Sequence, residues 1–409
     1  MRNAIFGDQE FPFNTSISRQ QFSKPCRWVS TRPVFLKNQV KFKWFEKSHS
    51  LHLGSCRSGA EVELFSHMKL LRVVDIEGEI FNGEIALNVL ANLVHLRYLA
   101  LSTYKTFKVK LFEHWNMQSF VVRGGFGKLD SSHAIEIWKM PQLRHFYADQ
   151  ICSLETLEGV HRKLETISWL GQACCTNDLF TRISNLKKLG IDGRFSYANP
   201  DCFNNFVDLG QLEKLSIRDW HLKRIPCSNS LWATSFLPKL KKLSFIRTSL
   251  PWSDVRLIGM LPNLEVLRLI NACVCAKWEP SDGGFHRLKR LVIKITSLQY
   301  WNAVGDHFPV LECLELSNCY WLEEIPRGFA DITTLALIQL SKCRDSLVAS
   351  AKWIQEEQNN NYGNDVLVRS ENIMVSFYPS ALIYLSPFNM HFILLEFFMA
   401  VVAMDNHLI

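Results

Sequence analysis

The chain has 409 residues, 47% of them hydrophobic and 21% charged, with a formal net charge of +7. This much apolar side chain excludes disorder along the whole length. The small positive excess permits an acidic partner but does not by itself point to nucleic acid. Residues 1–12 lack the apolar stretch of a secretory signal, so we expect the 12 cysteines to stay reduced as small buried groups.

The chain begins with a segment, residues 1–44, that shows neither a repeat nor a strong helical pattern, and we expect it to be irregular. From residue 45 to 345 an apolar pattern, L-x-x-L-x-x-L-x-L, recurs about every 24 residues, with Ile, Phe, Val or Met in some places. The clear copies begin at Leu93, Ile183, Leu209, Leu237, Leu261, Phe285, Phe308 and Ile332. Weaker copies begin at Met68, His114, Met140 and His161, and a cryptic one at Phe45. We therefore expect 12–13 repeats.

This spacing has a direct structural meaning. The last two apolar positions are two residues apart, so both lie on one face of a short strand. A period of about 24 residues falls within the 20–29 of leucine-rich repeats, which must stack to bury that face. The pattern predicts an α/β repeat fold: a curved leucine-rich-repeat solenoid with a parallel β-sheet on its concave face and irregular or short helical segments on its convex side. Cys319 and Cys343 occupy the buried turn position after the strand.

The C-terminal part departs from the repeat. We expect residues 346–372 to form a cap helix, Ser346–Gln358, and a polar linker, with Asn359–Asn364 ending the solenoid. Residues 373–409 form an apolar tail whose role the sequence does not define. Its longest apolar run, Phe392–Met404, is interrupted by Glu396 and is shorter than the about 20 residues of a membrane span. A membrane-associated tail and an atypical C-terminus both stay open.

No catalytic, cofactor-binding or metal-binding motif is complete. The glycine-rich segment at 124–128 has Val122 and Leu129 where a phosphate-binding loop needs Gly and Ser or Thr. The pairs Cys174–Cys175 and Cys273–Cys275 have no partners at zinc-site spacing. We therefore expect no enzyme activity, no cofactor and no metal.

The predicted concave face is lined by the residues that flank the last two apolar positions of each repeat. It is acidic at first, with Asp75 and Glu77, then aromatic, then basic, and mixed at Glu315 and Gln339. The candidate protein-binding residues are Tyr98, His145, Tyr147, Lys188, Lys214, Arg218, Lys242, Arg268, Arg290 and Lys294. The basic part lacks the interleaved aromatic residues that stack on bases, so we expect no nucleic acid and favour an acidic protein surface.

Several segments resemble a known family. They are Phe65–Asp75 (FSHMKLLRVVD), Leu93–Leu101 (LVHLRYLAL), Leu311–Cys319 (LECLELSNC) and Ala351–Gln358 (AKWIQEEQ). Over about residues 45–372 the chain resembles the leucine-rich-repeat domain of plant coiled-coil nucleotide-binding disease resistance proteins, specifically those related to late blight resistance proteins. The resemblance implies a cytoplasmic protein, in some cases at a membrane surface. Such a domain senses a pathogen effector or an effector-modified host protein, restrains the nucleotide-binding domain, and leads to a hypersensitive defence response.

The chain departs from that family because it contains neither the coiled-coil nor the nucleotide-binding domain. It is then a fragment, a truncated product or a stand-alone repeat protein. Its expected partners are an effector, a guarded host protein, or a nucleotide-binding domain in cis or in trans. The alternatives are a substrate-recognition adaptor of a ubiquitin ligase and a stand-alone scaffold, although residues 1–44 lack the apolar three-helix F-box of such adaptors.

Overall fold

The structure, a computed structural model, describes part of the chain, and all of that part belongs to one compact unit, residues 24–372. The described residues are 28–31, 46–53, 65, 67–76, 90, 92–102, 115–123, 140–151, 159–193, 205–218 and 237–371. The apolar tail and most of the N-terminal segment lie outside them. So do the glycine-rich segment at 124–128 and the first apolar position of the copies at Phe45 and His114.

One parallel sheet of 15 strands organises this unit, and its strands follow one another in chain order. They are β1 (Trp28–Thr31), β2 (Ser50–Leu53), β3 (Val73–Ile76), β4 (Tyr98–Ser102), β5 (Ser119–Arg123), β6 (His145–Ile151), β7 (Thr166–Gly171), β8 (Lys188–Asp192), β9 (Lys214–Arg218), β10 (Lys242–Ile246), β11 (Val266–Ile270), β13 (Arg290–Lys294), β15 (Cys313–Ser317), β16 (Leu337–Ser341) and β17 (Leu367–Glu371). Strands β12 (Lys277–Trp278) and β14 (Tyr300–Trp301) pair separately, also in parallel. The predicted solenoid with a parallel sheet is confirmed.

The repeated apolar positions hold the sheet together because they stack in register. Leu215 of β9 lies opposite Leu243 of β10, and two residues further along Ile217 lies opposite Phe245. All four are buried, with at most 1% of each exposed. Burial of one such side chain stabilises the fold by roughly 1.5–3 kcal/mol. The alternate residues of each strand point away from this core and line what we call the open face, the side predicted to be concave.

The opposite side of the unit is built from short segments that return from one strand to the next. They include α1 (Asn177–Arg182), α2 (Trp252–Ile258) and the 3-10 helices η1 (Gln172–Cys174), η2 (Gly305–His307) and η3 (Arg327–Asp331). Helix α1 is capped by Thr176, the residue before it, whose hydroxyl accepts a hydrogen bond from the amide of Leu179 at 3.2 Å. The predicted irregular and short helical side is therefore present.

Aromatic rings fill the return side of the later repeats. The indole of Trp278 stacks between those of Trp252 and Trp301, with ring centroids 4.6 and 5.1 Å apart. Phe308 meets Trp278 edge to face at 5.9 Å. These tryptophans lie outside the nine-residue pattern, so periodicity alone did not identify them as core.

The solenoid extends beyond its predicted bounds at both ends. Strand β1 lies inside the segment predicted to be irregular and pairs in parallel with β2. In this register Val29 lies opposite Leu51 and Thr31 lies opposite Leu53. The two earlier positions of the pattern would be Ser23 and Cys26. A copy without any leucine carries no periodic signal, and the strand was missed for that reason.

The C-terminal end also extends further than predicted. Helix α3 (Asp345–Tyr362) continues through the first part of the predicted polar break and ends at Gly363, whose φ is 65°. It stays helical because Gln358 is fully buried and donates hydrogen bonds to the carbonyls of Phe329 and Ile332. The sheet then resumes with β17, which pairs with β16. The break at Asn359–Asn364 therefore does not end the solenoid.

Cys319 and Cys343 are fully buried, and their sulfurs lie 3.6 Å from the carbonyl oxygens of Ile293 and Leu316, as expected for the turn position. In the described ranges no helix has the length and apolar character needed to cross a membrane.

Candidate functional site

The ten predicted binding residues all lie on the open face, at the first, third or fifth position of their strands. Tyr98, His145, Lys188, Lys214, Lys242 and Arg290 begin their strands, Tyr147 and Arg268 are third, and Arg218 and Lys294 are fifth. Their surroundings differ, because some of the basic residues form ion pairs with carboxylates and others do not.

Three lysines form a continuous column across neighbouring strands, which we call the lysine column. Lys188 lies directly opposite Lys214, and Lys214 directly opposite Lys242. All three side chains are exposed, and the strands that carry them are about 4.8 Å apart. None of the three forms an ion pair with any residue of the described ranges.

The environment of Lys214 shows that the column is not neutralised. Partial burial lowers the pKa of Lys214, and the charges of Arg268, Lys188 and Lys242 lower it further. No carboxylate is among the causes of this shift. Arg268 lies opposite Ser244 in the next strand, two residues further along than the column. Four positive groups of this part of the open face therefore repel one another.

Arg218 belongs to a different arrangement, since its charge is paired. Its Nη2 and Nε lie 2.8 and 3.0 Å from Oδ2 of Asp192 on the neighbouring strand. The two side chains are 17% and 1% exposed. The guanidinium carbon also lies 3.9 Å from the ring centroid of Trp169, in a cation–π contact. Arg218 is therefore a poorer candidate for direct electrostatic attraction of a partner than the lysines.

Trp169 reaches this cluster through an irregularity in β7. The nine-residue pattern predicts it as the last buried position of the copy that begins at His161, and that prediction is wrong. The register shifts between Ile167 and Leu170, Trp169 has φ 55°, and Leu170 occupies the buried position. A Cβ on Gly190 would lie 2.9 Å from the Trp169 amide nitrogen. Sequence reasoning therefore did not place Trp169 on the open face. The available signal was Leu170, the apolar residue directly after it, which takes the buried position instead.

The acidic start of the face is also neutralised. Asp75 on β3 accepts two hydrogen bonds from Arg123 on β5, with oxygen–nitrogen distances of 2.8 and 3.2 Å. The Asp75 side chain is 11% exposed. Glu77, predicted to share this acidic region, lies outside the described residues.

The aromatic part of the face is half-buried and uncharged at neutral pH. Nδ1 of His145 lies 3.1 Å from Oγ1 of Thr166. Burial lowers the pKa of His145, Glu165 opposes this shift, and Lys188 adds to it. Burial raises the pKa of Tyr147, and its hydrogen bond with Thr166 partly offsets that rise. Tyr98 is half-buried as well.

At the C-terminal end, one carboxylate neutralises two of the predicted cations. Glu315 lies 2.8 Å from Arg290 Nη2 through one oxygen and 2.8 Å from Lys294 Nζ through the other. Burial alone would raise the pKa of Glu315, but the hydrogen bonds from Lys294 and Arg290 outweigh it and lower the pKa. Of the basic residues predicted for this face, the lysine column and Arg268 are those without a described carboxylate partner.

A second column of charges runs beside the first, formed by the residues that immediately precede strands β6 to β11, β13 and β15. We call it the edge column. Its members are Arg144, Glu165, Lys187, Glu213, Lys241, Glu265, Lys289 and Glu312. Their charges alternate in sign from repeat to repeat, and ion pairs join Lys187 to Glu165 at 3.3 Å and Lys289 to Glu312 at 3.1 Å.

No group of three or more His, Cys, Asp or Glu side chains in the described part of the chain could hold a metal ion. Burial raises the pKa of Cys273 well above its usual value, which favours the unreactive thiol.

The chain is similar to several plant proteins of one kind. A putative late blight resistance protein homologue of Solanum demissum is 28% identical over 364 residues, which are 84% of this chain and 26% of that protein. A late blight resistance protein of the same species is 29% identical over 84% of this chain and 26% of that protein. A second putative homologue from this species is 27% identical over 91% of this chain and 28% of that protein. No protein-family model matches the chain.

These relatives confirm the resemblance predicted from the repeat segments. The chain spans about a quarter of the length of these three relatives. Among solved structures, the functional domain of InlJ from Listeria monocytogenes, which includes a cysteine ladder, is similar with a TM-score of 0.41 and 14% identity. That similarity covers 75% of this chain and 66% of the InlJ chain.

Proposed function

We propose that this chain is the protein-recognition repeat domain of a plant disease resistance protein, and that it binds its partner through the lysine column. The similarity to late blight resistance proteins supports the biological role. The choice of surface rests on three lysines that lie in register on the open face and form no ion pair with a described residue. The domain binds and does not catalyse; it acts in the cytoplasm, and any contact with a membrane is peripheral.

The partner is a protein with an acidic surface. It is a pathogen effector, a host protein that an effector modifies, or a nucleotide-binding domain in the same chain or in another. Binding leads to a defence response that includes hypersensitive cell death. Complementary charge speeds encounter and rejects wrong partners more than it adds affinity, so affinity also needs contacts beyond the column. The half-buried Trp169, which contacts Arg218 and Gly190, and Tyr147, two strands before Lys188, are suited to supply them.

The test combines binding with a plant response. The chain is expressed in leaves together with single secreted proteins of the late blight pathogen, and cell death is scored. Pairs that respond are then measured as purified proteins. We expect a complex with a Kd of about 1 μM or tighter, weakened at least about tenfold in the Lys188→Gln/Lys214→Gln/Lys242→Gln variant.

A matched control carries Lys47→Gln, Lys69→Gln and Lys352→Gln. These lysines are exposed, lie outside the strands and form no ion pair with a described residue, so the control loses the same charge elsewhere. It should bind as the unmodified chain does. Equal weakening in both variants would contradict the lysine column as the binding surface. Absence of any response to every secreted protein would contradict the sensing role.

A further inference from the structure

The geometry of the lysine column suggests what kind of acidic surface it receives, an inference that rests on the proposed function. We propose that the column binds an α-helix of the partner that carries a stripe of acidic side chains and lies across the strands of the sheet. Three features support this arrangement: the spacing of the lysines, the shape of the floor beside them, and the charge balance of the surroundings.

The spacing of the lysines matches one face of a helix. Lys188, Lys214 and Lys242 lie in direct register on three neighbouring strands, so the first and third are about 9.6 Å apart along the column. Positions i and i+7 of a helix are about 10.5 Å apart, with i+3 or i+4 between them on the same face. Acidic residues at i, i+4 and i+7 can therefore each meet one lysine. In an extended segment, three successive side chains of one face span about 13 Å, which exceeds the column.

The floor beside the column is built from small residues. The third strand positions next to Lys214 and Lys242 are Ser216 and Ser244, both small. In the same row, Gly190 lies beneath Trp169 at one end, and Arg268 follows Ser244 at the other. In the proposed complex, a helix about 10 Å wide lies over this row with its acidic stripe toward the lysines and an adjoining face toward Trp169.

The charge balance explains why the partner, and not the chain itself, supplies the acid. Asp75, Asp192 and Glu315 on the open face are each engaged by a neighbouring Arg or Lys. Partial burial lowers the pKa of Lys214, and the neighbouring charges of Arg268, Lys188 and Lys242 lower it further. An acidic helix relieves the repulsion at all three lysines at once.

The test uses two peptides of about 20 residues that share one composition of alanine, glutamine and four glutamates. The one-face peptide has glutamates at i, i+4, i+7 and i+11, which fall on one side of the helix. The split-face isomer has them at i, i+5, i+7 and i+12, which fall on two sides. Affinity for the full chain is measured by fluorescence anisotropy at about 0.05 M salt, where screening is weak.

We expect the one-face peptide to bind roughly tenfold more tightly than the isomer. The difference should vanish in Lys188→Gln/Lys214→Gln/Lys242→Gln and persist in Lys47→Gln/Lys69→Gln/Lys352→Gln. A thermal unfolding curve of each variant verifies that it is folded. Equal binding of both peptides, or a difference that survives in the column variant, would overturn the inference. So would equal affinity for a proline-interrupted phosphoserine peptide of the same charge, because that result would assign the column to compact anions.

The result can be separated from a failure of the proposed function. If a secreted pathogen protein binds in a column-dependent way while the two peptides bind equally, the helix inference fails and the proposed function stands. If the one-face peptide prevails and no pathogen protein elicits a response, the helix inference stands and the sensing role fails.

Discussion

The edge column and the lysine column run side by side along the same strands, yet they handle charge in opposite ways. In the edge column, signs alternate from repeat to repeat, as in the pair of Lys187 with Glu165. One residue further along the chain, Lys188, Lys214 and Lys242 stack with the same sign. The repeat geometry is the same for both columns, so the difference lies in the choice of residues alone.

This difference teaches that the fold does not require the lysine column. Like charges directly opposite one another in a sheet are destabilising, while opposite charges stabilise by roughly 0.2–1 kcal/mol. The edge column shows that alternating charges fit these repeats. Sequences violate local rules of stability mainly where function requires it, which is why we propose a binding role for the lysine column and a structural role for the edge column.

The largest effect should come from breaking a paired charge on the open face. Asp192→Ala removes the buried carboxylate that lies 2.8 Å from Nη2 of Arg218. We expect the free energy of unfolding to fall by about 3–5 kcal/mol in chemical denaturation. Asp178→Ala is the matched control, because its ion pair with Arg182 is exposed. The control should cost no more than about 0.5 kcal/mol, and equal losses would show that burial of the pair is unimportant.

A smaller effect should come from disturbing the close contact between Gly190 and Trp169 next to the lysine column. Gly190→Ala places a Cβ 2.9 Å from the backbone nitrogen of Trp169 and 3.3 Å from its ring, so one of the two strands must shift. We expect a loss of about 1–3 kcal/mol in thermal or chemical unfolding. Gly210→Ala meets nothing within 4 Å and serves as the control. A loss at residue 190 no greater than at 210 would contradict the packing of Trp169 against Gly190.

The paired cations of β13 should give an effect that depends on pH. The pKa of Glu315 is lowered below its usual value of 4.5, so its contribution to stability is present above pH 4.5 and is lost as pH falls through the lowered value. Glu315→Gln should cost about 1–2 kcal/mol at pH 7. Unfolding measured from pH 7 to 3 should show the two proteins converging at the acid end. A constant difference across this range would show that the carboxylate charge does not matter.

The smallest expected effect distinguishes the two columns by its sign. Lys188→Gln/Lys214→Gln/Lys242→Gln removes repulsion and should leave the free energy of unfolding unchanged or raise it by about 0.5 kcal/mol. Lys187→Gln in the edge column removes an attraction and should lower it by about 0.3 kcal/mol. Differential scanning calorimetry at low salt measures both. Opposite signs from those expected would remove the distinction between the columns.

The strands of the middle repeats could be predicted from sequence because each carries leucine at several positions of the pattern. In β9 and β10 the alternation also placed Lys214 and Lys242 correctly on the open face. The pattern failed where a copy has lost its leucines, as in β1, and where a bulge shifts the register, as at Trp169. Periodicity predicts the residues that regular repeats bury, but it does not predict such local exceptions.

The pairing of charges was not predictable for a related reason. Arg218 and Lys214 occupy equivalent alternating positions of one strand, and their sequence context gives both the same interpretation. Only the register with β8 places Asp192 beside Arg218 and Lys188 beside Lys214. Sequence alone therefore identified the basic part of the face but did not separate its engaged cations from its available ones.

The most direct test of a recognition role for the lysine column measures stability and binding on the same protein. The column variant, Lys188→Gln/Lys214→Gln/Lys242→Gln, is compared with the unmodified chain for its unfolding midpoint and for its affinity toward the one-face acidic peptide. We predict an equal or higher midpoint together with an affinity at least about tenfold lower. A lower midpoint with unchanged affinity would contradict this role, because the lysine column would then serve the fold and not recognition.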